Sequence, residues 1–252
     1  ATLSKPAYRV RMEHDVRVPM RDGVTLSLDI YRPDGSGQFP AILVRTPYNN
    51  NTEQAVAQSK WFAERGFVVV QADVRGKFDS TGDFYPFRHE PDDGFDTDEW
   101  IGRQPWFNGK LGTMGGSYVG FTQWSQAIRG SRHLTAMAPT VTRPHTYGNW
   151  FYTKGALNYA FALSWGAVSI DGRVAQYTQA YDWNAVYRHL PTAEAPAQAG
   201  LGRRPGRAVE HGDPHDASGR SRLLVQPEAI AAKVEQPPEN GQAAQLGDAQ
   251  QR

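Results

Sequence analysis

The fifteen residues from Lys110 to Trp124, KLGTMGGSYVGFTQW, constrain this chain more than any other stretch. Lys110–Met114 reads as a short buried strand, Gly115–Gly116 as a sharp turn, and the run from Tyr118 as a helix. Ser117 stands at the corner. A serine held between strand and helix is forced into a strained backbone conformation, so its neighbours must be small where the two elements approach. The strain lifts the hydroxyl out of the sheet to where a base can reach it, which is the geometry of a nucleophile elbow. The usual spacing G-x-S-x-G is displaced here by one place, with glycines at Gly115 and Gly120.

The rest of the chain supplies a frame for that corner. Tyr8 to Val18 and Val24 to Tyr31 alternate polar and apolar around the turn Met20-Arg21-Asp22-Gly23, which predicts an antiparallel hairpin at a sheet edge. Phe39–Val44 is a short apolar run fit for an inner strand. Thr52 to Arg65 predicts a helix capped by Thr52, ended by Gly66, and apolar at Ala55, Trp61 and Phe62. Phe67–Ala72 (FVVVQA) has the unbroken apolar character of a parallel strand buried on both faces. Asp92 to Gly102 predicts a helix whose first-turn acids suit the macrodipole, and Leu134–Ala138 a last strand. Strands alternating with helices imply a mainly parallel sheet with right-handed crossovers, and ligands bind at the carboxyl ends of such strands. The loop Asp73-Val74-Arg75-Gly76 lies at one such end. Asp79 and Asp83 beyond it lack the spacing and closing Glu of a calcium loop, and Arg75 is expected to tie the loop to a neighbouring carboxylate.

Composition narrows the class of partner. A net charge of +1 gives no attraction for nucleic acid or an anionic membrane, and no apolar run approaches 18 residues. Without cysteine there is no disulfide, no thiolate metal site and no cysteine nucleophile. That absence leaves the compartment open, with the cytoplasm favoured. The chain begins Ala1-Thr2-Leu3, compatible with a processed or trimmed start. From Pro139 to about Leu190 the sequence is rich in aromatics and reads as helical, the start of a lid over the strand ends. Beyond Tyr187 no aromatic residue occurs in the last 65. Residues 191–252 are expected to be a low-complexity, disordered tail with one weak helix around Glu228 to Val234. Their abrupt change of character is also compatible with out-of-frame translation. The domain reading is therefore residues 1–140 as the amino-terminal part of an α/β domain, 141–190 as the start of a lid, and 191–252 as tail.

An ordered series of short motifs carries a resemblance. Tyr48, Asp73-Val74-Arg75-Gly76, Asp93-Gly94-Phe95-Asp96-Thr97, Trp100-Ile101, Gln104-Pro105-Trp106, Asn108-Gly109-Lys110 and Gly116-Ser117-Tyr118 with Gly120 resemble the cocaine esterase / X-Pro dipeptidyl-peptidase family of α/β-hydrolases. That family also holds α-amino-acid ester hydrolases and cephalosporin acylases, and the likeness covers about residues 7–190. It implies an α/β-hydrolase fold, a small ester or amide substrate, acyl transfer to water, and no metal or organic cofactor. By resemblance Ser117 is the nucleophile, while the Tyr48 hydroxyl and the Tyr118 backbone N–H form the oxyanion hole. Trp150, Phe151 and Trp165 would line the acyl site. Asn149 stands where members that grip a substrate ammonium carry a carboxylate, which favours a neutral or aromatic acyl group. The fold orders its triad as Ser, then Asp or Glu, then His. Of the later histidines, His133, His145, His189, His211 and His215, none stands in a matching context. The expectation is a truncated chain with an incomplete triad; a non-catalytic protein that keeps the pocket without the base is the alternative.

Overall fold

In the computed structural model the described residues are 4–143, 150–166, 182–189 and 194. They fall in two units, residues 1–181 and residues 182–252.

The first unit is built on a six-stranded sheet of order β1-β2-β4-β3-β5-β6, formed by Val10–Pro19, Thr25–Pro33, Val68–Asp73, Phe39–Thr46, Phe107–Gly116 and Leu134–Thr140. β1 pairs β2 antiparallel and β2 pairs β4 antiparallel, whereas β4, β3, β5 and β6 run parallel. The predicted hairpin thus forms the antiparallel edge. It carries a bulge between Glu13 and Val16, where Asp15 takes a positive φ of 53° and its N–H donates to Asp29 at 2.9 Å.

Helix α1 (Glu53–Ala63) connects β3 to β4, α2 (Glu90–Gly102) connects β4 to β5, and α3 (Tyr118–Ala127) connects β5 to β6. The alternation of side chains along β4 explains the layering. Val69, with Tyr31 of β2, meets Ala63 of α1 on one face. Val68 and Val70, with Leu28 and Leu43, meet Ile101 of α2 on the other. Every residue of β4 is buried, as a parallel strand covered on both sides requires. Each of its valines contributes about 1.5–3 kcal/mol by leaving water.

Thr52 caps α1 as expected, its hydroxyl accepting from the Ala55 N–H at 3.2 Å, and Gly66 leaves the helix with φ of 88°. The apolar face of α1 holds at Phe62, which packs against the Tyr31–Val69 cluster, and is corrected at Trp61. Trp61 is 41% exposed, lying under the Arg65 guanidinium rather than in the core, and Ser59 and Ala63 are the buried positions. Several element ends also move. β5 begins at Phe107 and runs through Gly116, so the expected two-glycine turn is strand and the corner is Ser117 alone. α2 begins at Glu90, with Pro91 in its first turn.

Between residues 150 and 166 the expectation of helix holds only in part. A short hairpin, β7 (Tyr152–Thr153) with β8 (Ala156–Leu157), precedes helix α4 (Tyr159–Trp165). Gly155, with φ of 85°, turns it.

In the second unit α5 (Trp183–Arg188) is capped by Asp182, whose carboxylate accepts from the Ala185 N–H at 3.1 Å. Asn149, His145 and, apart from residue 194, the stretch 190–252 with its helix around Glu228 to Val234 lie outside the described residues. Among the described residues no helix is long and apolar enough to cross a membrane.

Candidate active site

Ser117 joins the last residue of β5 to the first of α3 with φ 58° and ψ −125°. A non-glycine residue in this region costs about 1–3 kcal/mol and persists only where its surroundings hold it. They do so through the backbone. The Ser117 N–H donates to the Thr140 carbonyl of β6 at 3.0 Å, and the Ser117 carbonyl accepts from Gly120 and Phe121 at 3.0 Å each. The side chain at the corner is exposed.

Space is tight at the flanking glycines, most of all at Gly115 and Gly120. A Cβ on Gly115 would run into the Val119 side chain, and Gly115 itself has φ of 135°. One on Gly116 would lie 3.0 Å from Thr140 Oγ1, and one on Gly120 2.6 Å from Thr142 Cγ2. Gln123, one turn into α3, braces the corner from within. Its amide nitrogen donates to the Gly115 and Val119 carbonyls at 3.1 Å each, while its oxygen accepts from Thr113 Oγ1 and the Ala138 N–H at 3.1 Å.

Tyr118 is fully buried. Its hydroxyl donates to Glu90 Oε1 at 2.8 Å and accepts from the Phe87 N–H at 2.9 Å. Arg45, at the end of β3, binds Glu90 twice, through Nη2 to Oε2 at 2.6 Å and through Nη1 to the Glu90 carbonyl at 2.9 Å. Burial pushes the Glu90 carboxyl up from its ordinary range, and Arg45 opposes that shift. Burial, then the neighbouring Glu90 charge, pushes the Tyr118 phenol well up, so it stays a donor. The backbone N–H of Tyr118, first residue of α3, belongs to the helix-start donors that have no partner inside a helix.

Tyr48 lies in the loop after β3, half-buried. Hydrogen bonds hold that loop. The Tyr48 N–H donates to Thr46 Oγ1 at 3.0 Å, the Asn51 N–H to Asn49 Oδ1 at 2.9 Å, and the Asn50 N–H to Asp73 Oδ1 at 2.9 Å. Asp73, fully buried at the end of β4, is pushed up to about 7 by burial. The Tyr48 hydroxyl accepts from Trp165 Nε1 at 3.2 Å. The Trp165 ring in turn stacks on Tyr118, with centroids 6.0 Å apart and planes at 23°.

Of the remaining sequence candidates, Phe151 stands edge-on to Trp165 at 5.4 Å and Trp150 is 6.3 Å from Phe121 of α3. The structure therefore gathers Tyr48, Tyr118, Trp150, Phe151 and Trp165 into one aromatic wall beside the corner. Its centre is a residue that the sequence did not single out. Phe87, at φ 70°, touches Tyr118, Phe121, Trp150, Phe151 and Trp165 at centroid distances of 4.8 to 6.0 Å. Glu90 and Arg45 were missed as well. The one signal available for all three was their place in loops or element ends on the carboxyl side of the sheet.

Arg75 ties its loop to carboxylates as expected, with Nη2 2.6 Å from Asp93 Oδ1 and Nη1 2.5 Å from Asp22 Oδ2. Asp93 is thus an ion-pair partner in addition to a helix-start charge. His133, the described histidine between α3 and β6, contacts Glu99 at 3.5 Å at the amino end of β6, the opposite end of the sheet from Ser117. Among the described residues no cluster of three or more His, Asp or Glu could hold a metal ion.

A mainly parallel sheet, an antiparallel amino-terminal edge and a serine at a strand-to-helix corner define an α/β-hydrolase. The chain belongs to the X-Pro dipeptidyl-peptidase (S15) family, whose model matches residues 22–234. It is 39% identical to the cocaine esterase of Rhodococcus sp. (strain MB1 Bresler) over 171 residues, covering 66% of this chain and 30% of that protein. Among solved structures it is similar to an α-amino acid ester hydrolase at 25% identity and a TM-score of 0.63, covering 81% of this chain and 38% of that one. An aminopeptidase from a marine sediment archaeon (Thaumarchaeota archaeon) shares the fold at a TM-score of 0.65 and 23% identity, over 80% of this chain and 38% of that one. The chain thus spans under a third of the esterase's length.

Proposed function

We propose that this chain carries the nucleophile and oxyanion-binding half of a serine hydrolase acting on small esters or amides. Ser117 attacks the substrate carbonyl carbon and gives its proton to a base, and the oxyanion is met by the Tyr48 hydroxyl and the Tyr118 N–H. The alcohol or amine leaves with a proton, and water then releases the acid from the acyl-serine. Trp150, Phe151 and Trp165 face the acyl group, which favours a neutral or aromatic acid. The observation that carries the reading is the exposed Ser117 at φ 58° in a chain of this family. Labelling of Ser117 by a fluorophosphonate, lost in Ser117→Ala, is the expected result. Labelling that survives Ser117→Ala overturns it.

A second reading, a binding protein that keeps the aromatic wall without a base, is favoured by one observation. Among the described residues no side chain hydrogen-bonds the Ser117 hydroxyl. A serine without its base retains only what the oxyanion hole and binding supply, about 10³–10⁴-fold over water in the worked serine-protease case. Turnover at that level, against rapid turnover, separates the two. Rapid Ser117 labelling abolished by His211→Ala or His215→Ala would assign the base to the tail.

A further inference from the structure

We infer that Trp165 is a positioning residue for the Tyr48 hydroxyl, polarising it as a hydrogen-bond donor toward the oxyanion; this rests on the reading of Tyr48 given above. An indole nitrogen only donates. At 3.2 Å from Trp165 Nε1, the Tyr48 oxygen is therefore the acceptor. Its phenolic proton is directed away from the indole. A hydroxyl that accepts one hydrogen bond donates the next more strongly, since chained bonds polarise one another.

The direction of the indole N–H is fixed by its surroundings. The Trp165 ring lies nearly parallel to Tyr118 (23°) and to Phe87 (22°), with Phe151 edge-on at 62°. Tyr118 is itself pinned by Glu90 and by the Phe87 N–H. The Tyr48 backbone is held by Thr46 and its neighbour Asn50 by Asp73, and the indole holds the phenol. One indole, its face on Tyr118 and its N–H on Tyr48, thus couples the two groups assigned to the oxyanion, though 117 residues separate Trp165 from Tyr48.

Trp165→Phe removes the N–H and keeps an aromatic ring in the wall. The measurement is single-turnover acylation of Ser117 in the full chain by p-nitrophenyl acetate, whose acetyl group is too small to report on aromatic acyl contacts. Trp165→Phe is expected to slow acylation about 3–10-fold, the worth of one neutral hydrogen bond. In a Tyr48→Phe background the same change should add nothing. A ring-fluorinated tyrosine at position 48, a stronger donor by its own chemistry, should recover part of the loss, which a packing role would not allow. A Trp165→Phe effect of equal size with or without the Tyr48 hydroxyl overturns the inference and leaves the function standing. Acylation that needs Ser117 but ignores Tyr48→Phe overturns the oxyanion reading, and the inference with it. Where acylation is too slow to follow, the indole ¹H–¹⁵N resonance of Trp165 decides. It should shift on Tyr48→Phe, and an unmoved resonance overturns the inference.

Discussion

The buried phenol of Tyr118 donates to Glu90 Oε1 at 2.8 Å, and that same carboxylate holds Arg45 at 2.6 Å. Three side chains from β3, α2 and α3 are thereby fixed beneath the serine corner. Arg45 sits three residues before Tyr48 and Tyr118 directly follows Ser117, so this network braces both sides of the proposed oxyanion site.

Replacing Glu90 by Gln keeps an acceptor for Tyr118 but leaves Arg45, 1% exposed, without its counter-charge. Breaking a buried ion pair from one side costs about 3–5 kcal/mol. Urea unfolding of Glu90→Gln is expected to show a loss of that order. A loss under about 1 kcal/mol would mean that Arg45 finds another partner or water.

Glycines of the same chain should respond unequally to alanine. Gly115→Ala combines a φ of 135° with a collision against Val119, and a loss of about 2–4 kcal/mol is expected. Gly109 has φ of 89° with nothing near its would-be Cβ, so Gly109→Ala should cost only about 1 kcal/mol. Thermal unfolding of both variants checks the ordering, and equal losses would remove the steric argument for the corner.

Phe87 permits a sharper test of backbone strain. Glycine is normally the worse replacement for a large residue, but at φ 70° alanine bears a penalty of roughly 1 kcal/mol that glycine escapes. Both substitutions empty the centre of the aromatic wall. Phe87→Gly is therefore expected to be the more stable of the two by denaturant titration. The reverse order would mean that the loop relaxes out of the left-handed region once the ring is gone.

What could be read from the sequence was encoded locally. Period-two alternation gave β1 and β2, the apolar run gave β4, and small residues around Ser117 gave the corner. What could not be read depends on distant contacts. Phe87 and Glu90 carry no motif and acquire meaning from Tyr118, 31 and 28 residues onward. Trp61 looked apolar by spacing, yet Arg65 one turn later covers it at the surface. The stretch after Pro139 is rich in aromatics, which suit a helix and a strand alike. The β7–β8 turn at Lys154-Gly155, where both residues take positive φ, was the overlooked signal.

Two buried carboxyls set an unusual pH dependence. Burial pushes Asp73 and Asp98 each up to about 7, against 3.8 when unperturbed. Between about pH 4 and 7 the folded chain keeps protons on these groups that the unfolded chain has released. Folding stability therefore falls as pH rises through that window, by up to about 1.4 kcal/mol per pH unit for each group, and levels off above it. Below the window an opposite effect takes over. Hydrogen bonds from Arg75 hold Asp22 below its ordinary value, and a hydrogen bond from Ser27 does the same for Asp15, so their contributions are lost in stronger acid. The stability maximum should accordingly lie near pH 4–5 rather than at neutrality. Urea midpoints measured from pH 4 to 8 should fall toward pH 7, and Asp73→Asn should remove about half of that slope while Asp98→Asn removes much of the rest. Stability that stays level or rises from pH 4.5 to 7 would mean that both carboxylates are ionised in the folded chain, with water or a cation reaching the buried Asp73 Oδ2, which has no hydrogen-bond partner among the described residues.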